Sequence, residues 1–159
     1  MEKKTREYLQ VTQQDSDRVN RLIIPTLGPE TSCSFYEEFS IRGIQADLFQ
    51  SGFISCSFIV PPRLIDRDGN LAVGAIANLV DKIGSCALYG KDVPIHVSVD
   101  MSISYLSTAK LNDELEITAK LLGGKGSYKG TLVVLKNKLT REIIAEGRHS
   151  LFSLSTSRI

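Results

Sequence analysis

One aspartate, Asp81, lies within a long apolar stretch, residues 71–89, and its carboxylate is a candidate general base. The stretch has no proline and predicts a helix with Asn70 as its N-cap. At about 100° per residue, small and polar side chains share one stripe of this helix: Gly74, Asn78, Asp81 and Ser85, with Lys82 beside them. The rest is apolar, which favours an interior helix, where a carboxylate is paired or functional. Alternatively, Asp81 faces water at one edge of a partly covered helix.

Other catalytic motifs are absent from the sequence. There is no G-x-S-x-G or H-E-x-x-H motif, and residues 123–130 (GGKGSYKG) fit neither a Walker loop nor G-x-G-x-x-G. Neither of the two histidines, His96 and His149, stands beside a recognisable nucleophile motif, and His149 is interpreted as a structural histidine within a strand. Any catalysis is therefore expected to use carboxylates, hydroxyls and backbone groups.

Composition excludes several classes of protein. The chain has 159 residues with 19 basic and 18 acidic side chains, and this balance argues against a nucleic-acid binder. Its three cysteines, Cys33, Cys56 and Cys86, are too few and too scattered for a metal site or a disulfide framework. No apolar run approaches the ~18 residues of a membrane span, and the N-terminus has no signal-peptide core. A soluble intracellular protein without membrane contact is expected.

The chain is predicted to have an N-terminal extension, residues 1–34, and one domain, residues 35–159. The extension contains a short helix near residues 15–24, capped by Asp15, Ser16 or Asp17. From Phe35 the apolar period becomes two, which predicts strands at residues 39–43 and 54–60; these are joined near Gln50–Gly52 and end at Pro61-Pro62.

Four more strands are predicted after the central helix, in a meander. They are residues 96–105, 114–122, 130–136 and 142–154, with turns at 123–126 and 137–141. Strict alternation in the first of them places these apolar side chains on one face: Val97, Val99, Met101, Ile103 and Tyr105. A single long helix with about six antiparallel strands is an α+β arrangement.

Three segments resemble the hotdog-fold acyl-CoA thioesterases of the PaaI-like branch: residues 72–81, 97–110 and 144–149. The resemblance implies a long central helix wrapped by a curved antiparallel sheet. It also implies side-by-side homodimers, often paired into homotetramers, with each active site lying across the dimer interface.

The resemblance also implies roles for individual residues. Asp81 matches the general base or nucleophile, and Ser98 matches the serine that helps to place the attacking water. The backbone amides of Val73 and Gly74 would polarise the thioester carbonyl, with the polar residue of the preceding loop at Asp66. Coenzyme A would contact two further segments and one late aromatic residue: Tyr105, Ser107, Ala109, Lys110, Gly123, Gly124, Lys125, Gly126, Ser127, Tyr128 and Phe152.

The sequence departs from the family at three of these positions. The family's His-Gly-Gly triplet is Ala72-Val73-Gly74 here, so the histidine's hydrogen bonds are lost and a β-branched side chain replaces a glycine. Asp66 replaces an asparagine and adds a negative charge near the expected oxyanion.

The main hypothesis is hydrolysis of an acyl-CoA thioester, with no metal or redox cofactor. The alternatives are a non-catalytic acyl-CoA-binding module and a purely structural oligomer subunit. A hotdog dehydratase is disfavoured because its catalytic histidine has no counterpart on the helix. A cytoplasmic location is expected, or a peroxisomal one, since Ser157-Arg158-Ile159 resembles an S-K-L address.

Overall fold

Two units make up the chain, Met1–Tyr36 and Glu37–Ile159. The computed structural model describes residues 2–21, 34–89 and 96–154. Cys33 and the C-terminal tripeptide Ser157-Arg158-Ile159 lie outside these ranges, so the peroxisomal address remains a prediction. Among the described residues no helix combines the length and apolar character needed to cross a membrane.

Residues 2–21 of the first unit form two short helices, α1 (Glu2–Leu9) and α2 (Gln13–Asn20). Helix α1 was not predicted. Helix α2 begins earlier than expected because the Thr12 hydroxyl caps it, accepting the Asp15 amide at 3.1 Å, so the three predicted caps are wrong. The predicted residues 22–24 of this helix lie outside the described ranges.

Helix α3 (Phe35–Ile41) replaces the strand predicted at residues 39–43. The alternating pattern there was misleading because the segment packs as a helix: Ser40 is buried and Phe39 packs against the core. The Arg63 guanidinium stabilises the end of α3, donating from Nε to the Phe39 carbonyl at 2.6 Å. The α3 residues of the second unit also contact the central helix: Asn78 donates to the Ser40 hydroxyl at 3.3 Å, and Lys82 pairs with Glu37.

In the part of the chain that the structure describes, six antiparallel strands form one sheet in the order β1-β2-β4-β5-β6-β3. They are β1 (Gln45–Gln50), β2 (Phe53–Ile59), β3 (His96–Tyr105), β4 (Glu114–Lys125), β5 (Tyr128–Asn137) and β6 (Ile143–Ser153). The predicted turn near Gln50–Gly52 is confirmed, but the strand that it joins to β2 is β1 and not residues 39–43. Strands β4, β5 and β6 form a meander.

The predicted four-strand meander is wrong for β3, which pairs with β6 at the edge of the sheet. Strand β3 cannot pair with β4 because β2 and β5 occupy the two edges of β4. The β4–β5 turn is also shorter than predicted: Gly123, Gly124 and Lys125 continue β4, and Gly126 makes the turn with φ +58°.

Helix α4 (Val73–Cys86) lies against the inner face of the sheet. Its buried side chains pack with inward-facing residues of the strands: Ile76, Leu79, Val80 and Ile83 with Ile54, Phe58, Leu115, Ile117, Val133 and Leu135. Burial of each large apolar side chain contributes roughly 1.5–3 kcal/mol. This core fixes the helix relative to the strands, and thereby the site.

The start of α4 differs from the prediction. Asn70 is not the N-cap, because Asn70 and Leu71 form β-bridges with Lys110 and Ile65, which keep the chain extended up to Ala72. Ala72 is the N-cap and makes no side-chain capping bond.

Candidate active site

Three polar side chains lie close together: Asp81 of α4, Ser98 of β3 and His149 of β6. Ser98 of β3 donates its hydroxyl to Asp81 Oδ1 at 2.7 Å. His149 of β6 places Nε2 at 2.9 Å from Ser98 Oγ and 3.4 Å from Asp81 Oδ1. The predicted pair of Asp81 and Ser98 is therefore brought together, and His149 joins it.

A β-bulge in β3 aims Ser98 at Asp81. Ser98 lies opposite Leu151, and Met101 lies opposite His149; the register shifts between Ser98 and Asp100. Because positions 149 and 151 share the inner face, Ser98 and Met101 also face inward, although they are three positions apart and would lie on opposite faces of a regular strand. The prediction that Val97 and Met101 share one face is wrong for this reason.

The Asp81 carboxylate is half-buried, with 32% of its side chain exposed. Ser98 and His149 both face its Oδ1 atom; among the described residues, no donor contacts Oδ2. The exposure of Asp81 therefore fits the alternative prediction, a partly covered helix edge, better than the prediction of a fully interior helix. The carboxylate is nevertheless paired, and one of its oxygens is available to a ligand or to water.

The other polar side chains of the predicted α4 stripe do not join this cluster. Asn78 and Lys82 bind α3, through Ser40 and Glu37 respectively. The Ser85 hydroxyl donates back to the Asp81 carbonyl at 2.8 Å, as serines within helices often do. Asp81 is therefore the member of the stripe that faces Ser98 and His149.

His149 is a site residue that the sequence reasoning missed. It is 1% exposed, and burial lowers the pKa of its imidazole, although the Asp81 carboxylate opposes this effect. The available signal was its position at the end of the family-like segment 144–149. The contacts differ from a relay triad, because serine and aspartate both face the same ring nitrogen, Nε2.

The N-terminus of α4 presents open backbone amides. Ala72 donates its own N–H to the Leu64 carbonyl at 2.9 Å, whereas within the described ranges no acceptor contacts the N–H groups of Val73 and Gly74. The Val73 side chain is 58% exposed, and the space beside the Gly74 Cα is open. Uncapped amides at the positive end of a helix suit a developing oxyanion.

Asp66 shapes the loop that precedes α4. Its Oδ1 atom accepts the amides of Asp68 and Asn70, each at 2.9 Å. The backbone amide of Asn70 is the main reason that the pKa of Asp66 is lowered; desolvation opposes it, and the Asp68 amide, the Asn70 side chain and Lys110 lower the pKa further. The carboxylate is therefore charged and already engaged by its own loop.

The first predicted coenzyme A segment contains both exposed and buried residues. Tyr105 is exposed, and the Ser107 hydroxyl donates to Glu142 at 2.7 Å. Ala109 is fully buried, and its carbonyl accepts the Leu71 amide at 2.7 Å, so it belongs to the core. The Lys110 ammonium donates to the Asn70 side-chain carbonyl at 2.5 Å.

The second predicted segment is the tip of the β4–β5 hairpin. Gly123, Gly124, Lys125 and Gly126 are exposed, and Ser127 accepts the Ser153 amide through its carbonyl at 2.8 Å. A side chain at Gly124 would collide with the Tyr128 carbonyl oxygen and with the stem of Lys129, so the glycine allows β5 to approach closely here. Tyr128 lies opposite Phe152, and both rings are exposed.

Comparison with known proteins identifies the family. Residues 68–127 match the model of the thioesterase superfamily. Acyl-coenzyme A thioesterase 13 of Homo sapiens is 40% identical over 101 residues, which cover 62% of this chain and 71% of that protein. The mouse protein of the same name is 39% identical over 97 residues, covering 60% of this chain and 69% of its own.

Solved structures show the same fold. Zebrafish thioesterase superfamily member 2 has a TM-score of 0.71 and 27% identity, covering 91% of this chain and 100% of that one. A hypothetical thioesterase of Streptococcus pneumoniae with coenzyme A has a TM-score of 0.64 at 20% identity, covering 70% and 89%. The sequence relatives and the six-stranded sheet around α4 together show that the chain belongs to the thioesterase superfamily, as a thioester hydrolase with the hotdog fold.

Proposed function

We propose that this thioester hydrolase acts on acyl-CoA and uses Asp81 to activate the attacking water. The activity is that of an acyl-CoA thioesterase, in line with the relatives that carry this name. The observation that carries the mechanism is the geometry of the Asp81 carboxylate: Ser98 binds Oδ1, while no described residue donates to Oδ2. A carboxylate fixed through one oxygen presents the other to a water molecule in a defined direction.

The chemical step needs one base and one oxyanion site. Asp81 accepts a proton from water as the water oxygen attacks the thioester carbonyl carbon. The carbonyl oxygen becomes an oxyanion, which hydrogen bonds from the amides of Val73 and Gly74 stabilise. Collapse of this intermediate breaks the carbon–sulfur bond, and the proton passes to the departing coenzyme A thiolate. Direct attack by the carboxylate is the other route open to Asp81.

The site requires a homodimer. Gly74 and Asp81 are seven residues apart on one helix, a separation of about 10 Å along its axis, so a helix does not bring its own amides to its own carboxylate. Strand β3 lies at one edge of the sheet and carries exposed apolar residues, including Val99 and Met101. Pairing of this edge with a second copy covers them and brings two α4 helices side by side. Pairs of such dimers would give the homotetramer.

Coenzyme A is proposed to bind at the β4–β5 hairpin. Lys125 is exposed at the tip, and the Lys129 side chain lies next to Gly124. Lysine side chains and turn amides suit phosphate groups. The facing rings of Tyr128 and Phe152 offer an exposed aromatic surface to the nucleotide. The Lys110 ammonium donates one of its three N–H groups to Asn70, which leaves two for a phosphate.

A second candidate function is acyl-CoA binding without hydrolysis. The observation that favours it is the exposed Val73 side chain at the open start of α4, where the resemblance implies a glycine. A branched side chain at this point reduces the room for the thioester beside the amides.

The deciding experiment measures thiol release from a panel of aliphatic and aromatic acyl-CoA esters by the purified protein and by Asp81→Asn. We expect hydrolysis by the wild type and a loss of about 10²–10⁴-fold in kcat for the variant. Glu146→Gln is the matched control: it makes the same carboxylate-to-amide change on β6, an inner strand, where Glu146 points to the face opposite to His149, and this variant should hydrolyse like the wild type. Tight acyl-CoA binding without thiol release would establish the second candidate instead.

A further inference from the structure

His149 is the least exposed member of the Asp81 cluster, and its surroundings hold the ring from several sides. A Cβ atom added at Gly84 would lie 2.9 Å from His149 Nδ1, 3.1 Å from Thr131 Oγ1 and 3.1 Å from Val133 Cγ2. Thr131 lies opposite His149 on β5 and donates to its carbonyl at 3.3 Å. The absence of a side chain at Gly84 thus makes the space that the ring occupies.

The two nitrogens of this ring have opposite environments. Nε2 faces the Ser98 hydroxyl and the Asp81 carboxylate, whereas Nδ1 is buried with no hydrogen-bond partner among the described residues. A neutral imidazole carries one N–H donor and one acceptor nitrogen. A proton on Nε2 has two oxygens to bind, and a proton on Nδ1 would be a buried donor without an acceptor, which is rare in proteins.

The proton positions around Ser98 then follow. An ionised carboxylate only accepts hydrogen bonds, so the Ser98 hydroxyl donates to Asp81 Oδ1 at 2.7 Å. The same hydroxyl oxygen accepts the Nε2–H of His149 at 2.9 Å. Burial, which lowers the pKa of His149, favours the neutral ring that this pattern needs.

We propose that His149 is a positioning residue that acts through Ser98: its Nε2–H fixes the serine hydroxyl, which in turn occupies Asp81 Oδ1 and leaves Oδ2 as the oxygen that takes the proton from water. The catalytic part of this proposal rests on the proposed thioesterase function. The hydrogen-bond direction does not, and it is testable on the protein without any substrate.

The kinetic test compares His149→Leu, which removes the donor, with His149→Gln, which keeps an N–H donor at similar reach. We expect His149→Leu to lower kcat between roughly tenfold and 10²-fold with KM unchanged, since misplacing a reacting group costs about this much. His149→Gln should recover most of the loss. In a Ser98→Ala background, His149→Leu should have no further effect on kcat.

The proposal would be overturned if His149→Leu lowered kcat equally in the wild-type and Ser98→Ala backgrounds. An unchanged kcat in His149→Leu, or a failure of His149→Gln to recover activity, would also overturn it. His96→Gln is the control, since His96 is the chain's other histidine.

A second measurement covers the case in which His149→Leu does not fold or the wild type does not hydrolyse acyl-CoA. Nitrogen NMR of the wild type with labelled histidine reports the protonation of both ring nitrogens at neutral pH. We expect the His149 signals of a neutral ring protonated at Nε2, assigned by their loss in His149→Gln. A ring protonated at Nδ1, or doubly protonated, would refute the proposal whatever the enzyme assay shows. A wild type inactive on the whole panel but showing the Nε2–H form would instead contradict only the thioesterase assignment.

Discussion

The Asp66 carboxylate shows how one residue serves the loop that leads into α4. Its contacts with the amides of Asp68 and Asn70 close a tight turn just before the helix. Asparagine, which the resemblance implies at this position, also offers an acceptor oxygen for the same two amides. The replacement therefore keeps the turn and adds a charge, and that charge gives the stability of the chain a dependence on pH.

The first prediction concerns this dependence. Because the folded chain holds the pKa of Asp66 below its ordinary value, the carboxylate stabilises the fold above the unfolded-state pKa of about 3.9. That contribution is lost as the pH falls through the lower, folded-state pKa. We therefore expect the free energy of unfolding to fall less in Asp66→Asn than in the wild type when the pH is lowered below about 4. Urea unfolding at a series of pH values measures this difference.

Asp68→Asn serves as its control. It removes the same charge from the same loop, but among the described residues the Asp68 carboxylate accepts no hydrogen bond. Its pH profile should follow the wild type. Parallel profiles for the wild type and Asp66→Asn would show that the two amide contacts do not persist in solution.

At the level of elements, α4 and β6 support the site from two sides, and the glycines allow them to approach. Side chains at Gly84 of α4 and Gly147 of β6 would collide with His149 and Val80, respectively. Close packing of helix and strand therefore depends on small residues at facing positions, and the same contact sets the depth at which His149 lies.

The second prediction is that Gly84→Ala destabilises the fold although alanine favours helices. The new methyl group must displace His149, Thr131 or Val133, and overpacking of this kind costs about 1–3 kcal/mol. Urea unfolding measures the loss. Gly130→Ala is the control and should be close to neutral. Apart from the chain neighbours of Gly130, no atom of the described residues lies within 4 Å of a Cβ atom placed there, and the φ of Gly130 is not in the left-handed region. Equal stability of the two variants would show that the ring is not tightly enclosed.

The sequence predicted those elements whose pattern is local. The apolar run of α4 and the alternation in β2, β4, β5 and β6 are visible without a structure, and the resemblance added the pairing of Asp81 with Ser98. Other features depend on distant partners. The position of β3 beside β6 follows from the occupation of β4 by β2, and the bulge near Val99 is hidden by strict alternation in the sequence. The role of His149 depends on both the position of β3 and its bulge. From the sequence alone, His149 was therefore interpreted only as a structural histidine within a strand.

On the scale of the whole molecule, the two edges of the sheet differ. Strand β1 has a register shift between Ala46 and Leu48, where Asp47 stands, and these features discourage pairing with another chain. Strand β3 spans ten residues and exposes apolar side chains such as Val99 and Met101. An edge of this length and composition is prone to association. This difference supports β3 as the dimer interface in our proposal.

The third prediction tests whether each site is shared between two copies. Asp81→Asn removes the base, and Val73→Pro removes one amide donor at the first position of α4, which tolerates proline. Ala72 has φ −61° and ψ 140°, the extended conformation that a residue before proline prefers, so the helix should start as before. Each variant alone is expected to be weakly active, since loss of one oxyanion donor costs about 10²–10³-fold in kcat.

Co-expression of the two variants with different affinity tags isolates the mixed dimer. Suppose that Asp81 of one copy works with Val73 of the other. One of the two sites in the mixed dimer then contains both native groups and the other contains neither, so the mixed dimer should regain about half of the wild-type kcat. If Asp81 and Val73 of one chain form one site, every site in the mixed dimer carries a defect, and the activity stays at the level of the single variants. Thiol release from the acyl-CoA that the wild type hydrolyses best distinguishes the two outcomes. Recovery would also show that the open amides of α4 act on the substrate, because only a functional defect in Val73→Pro can be complemented in this way.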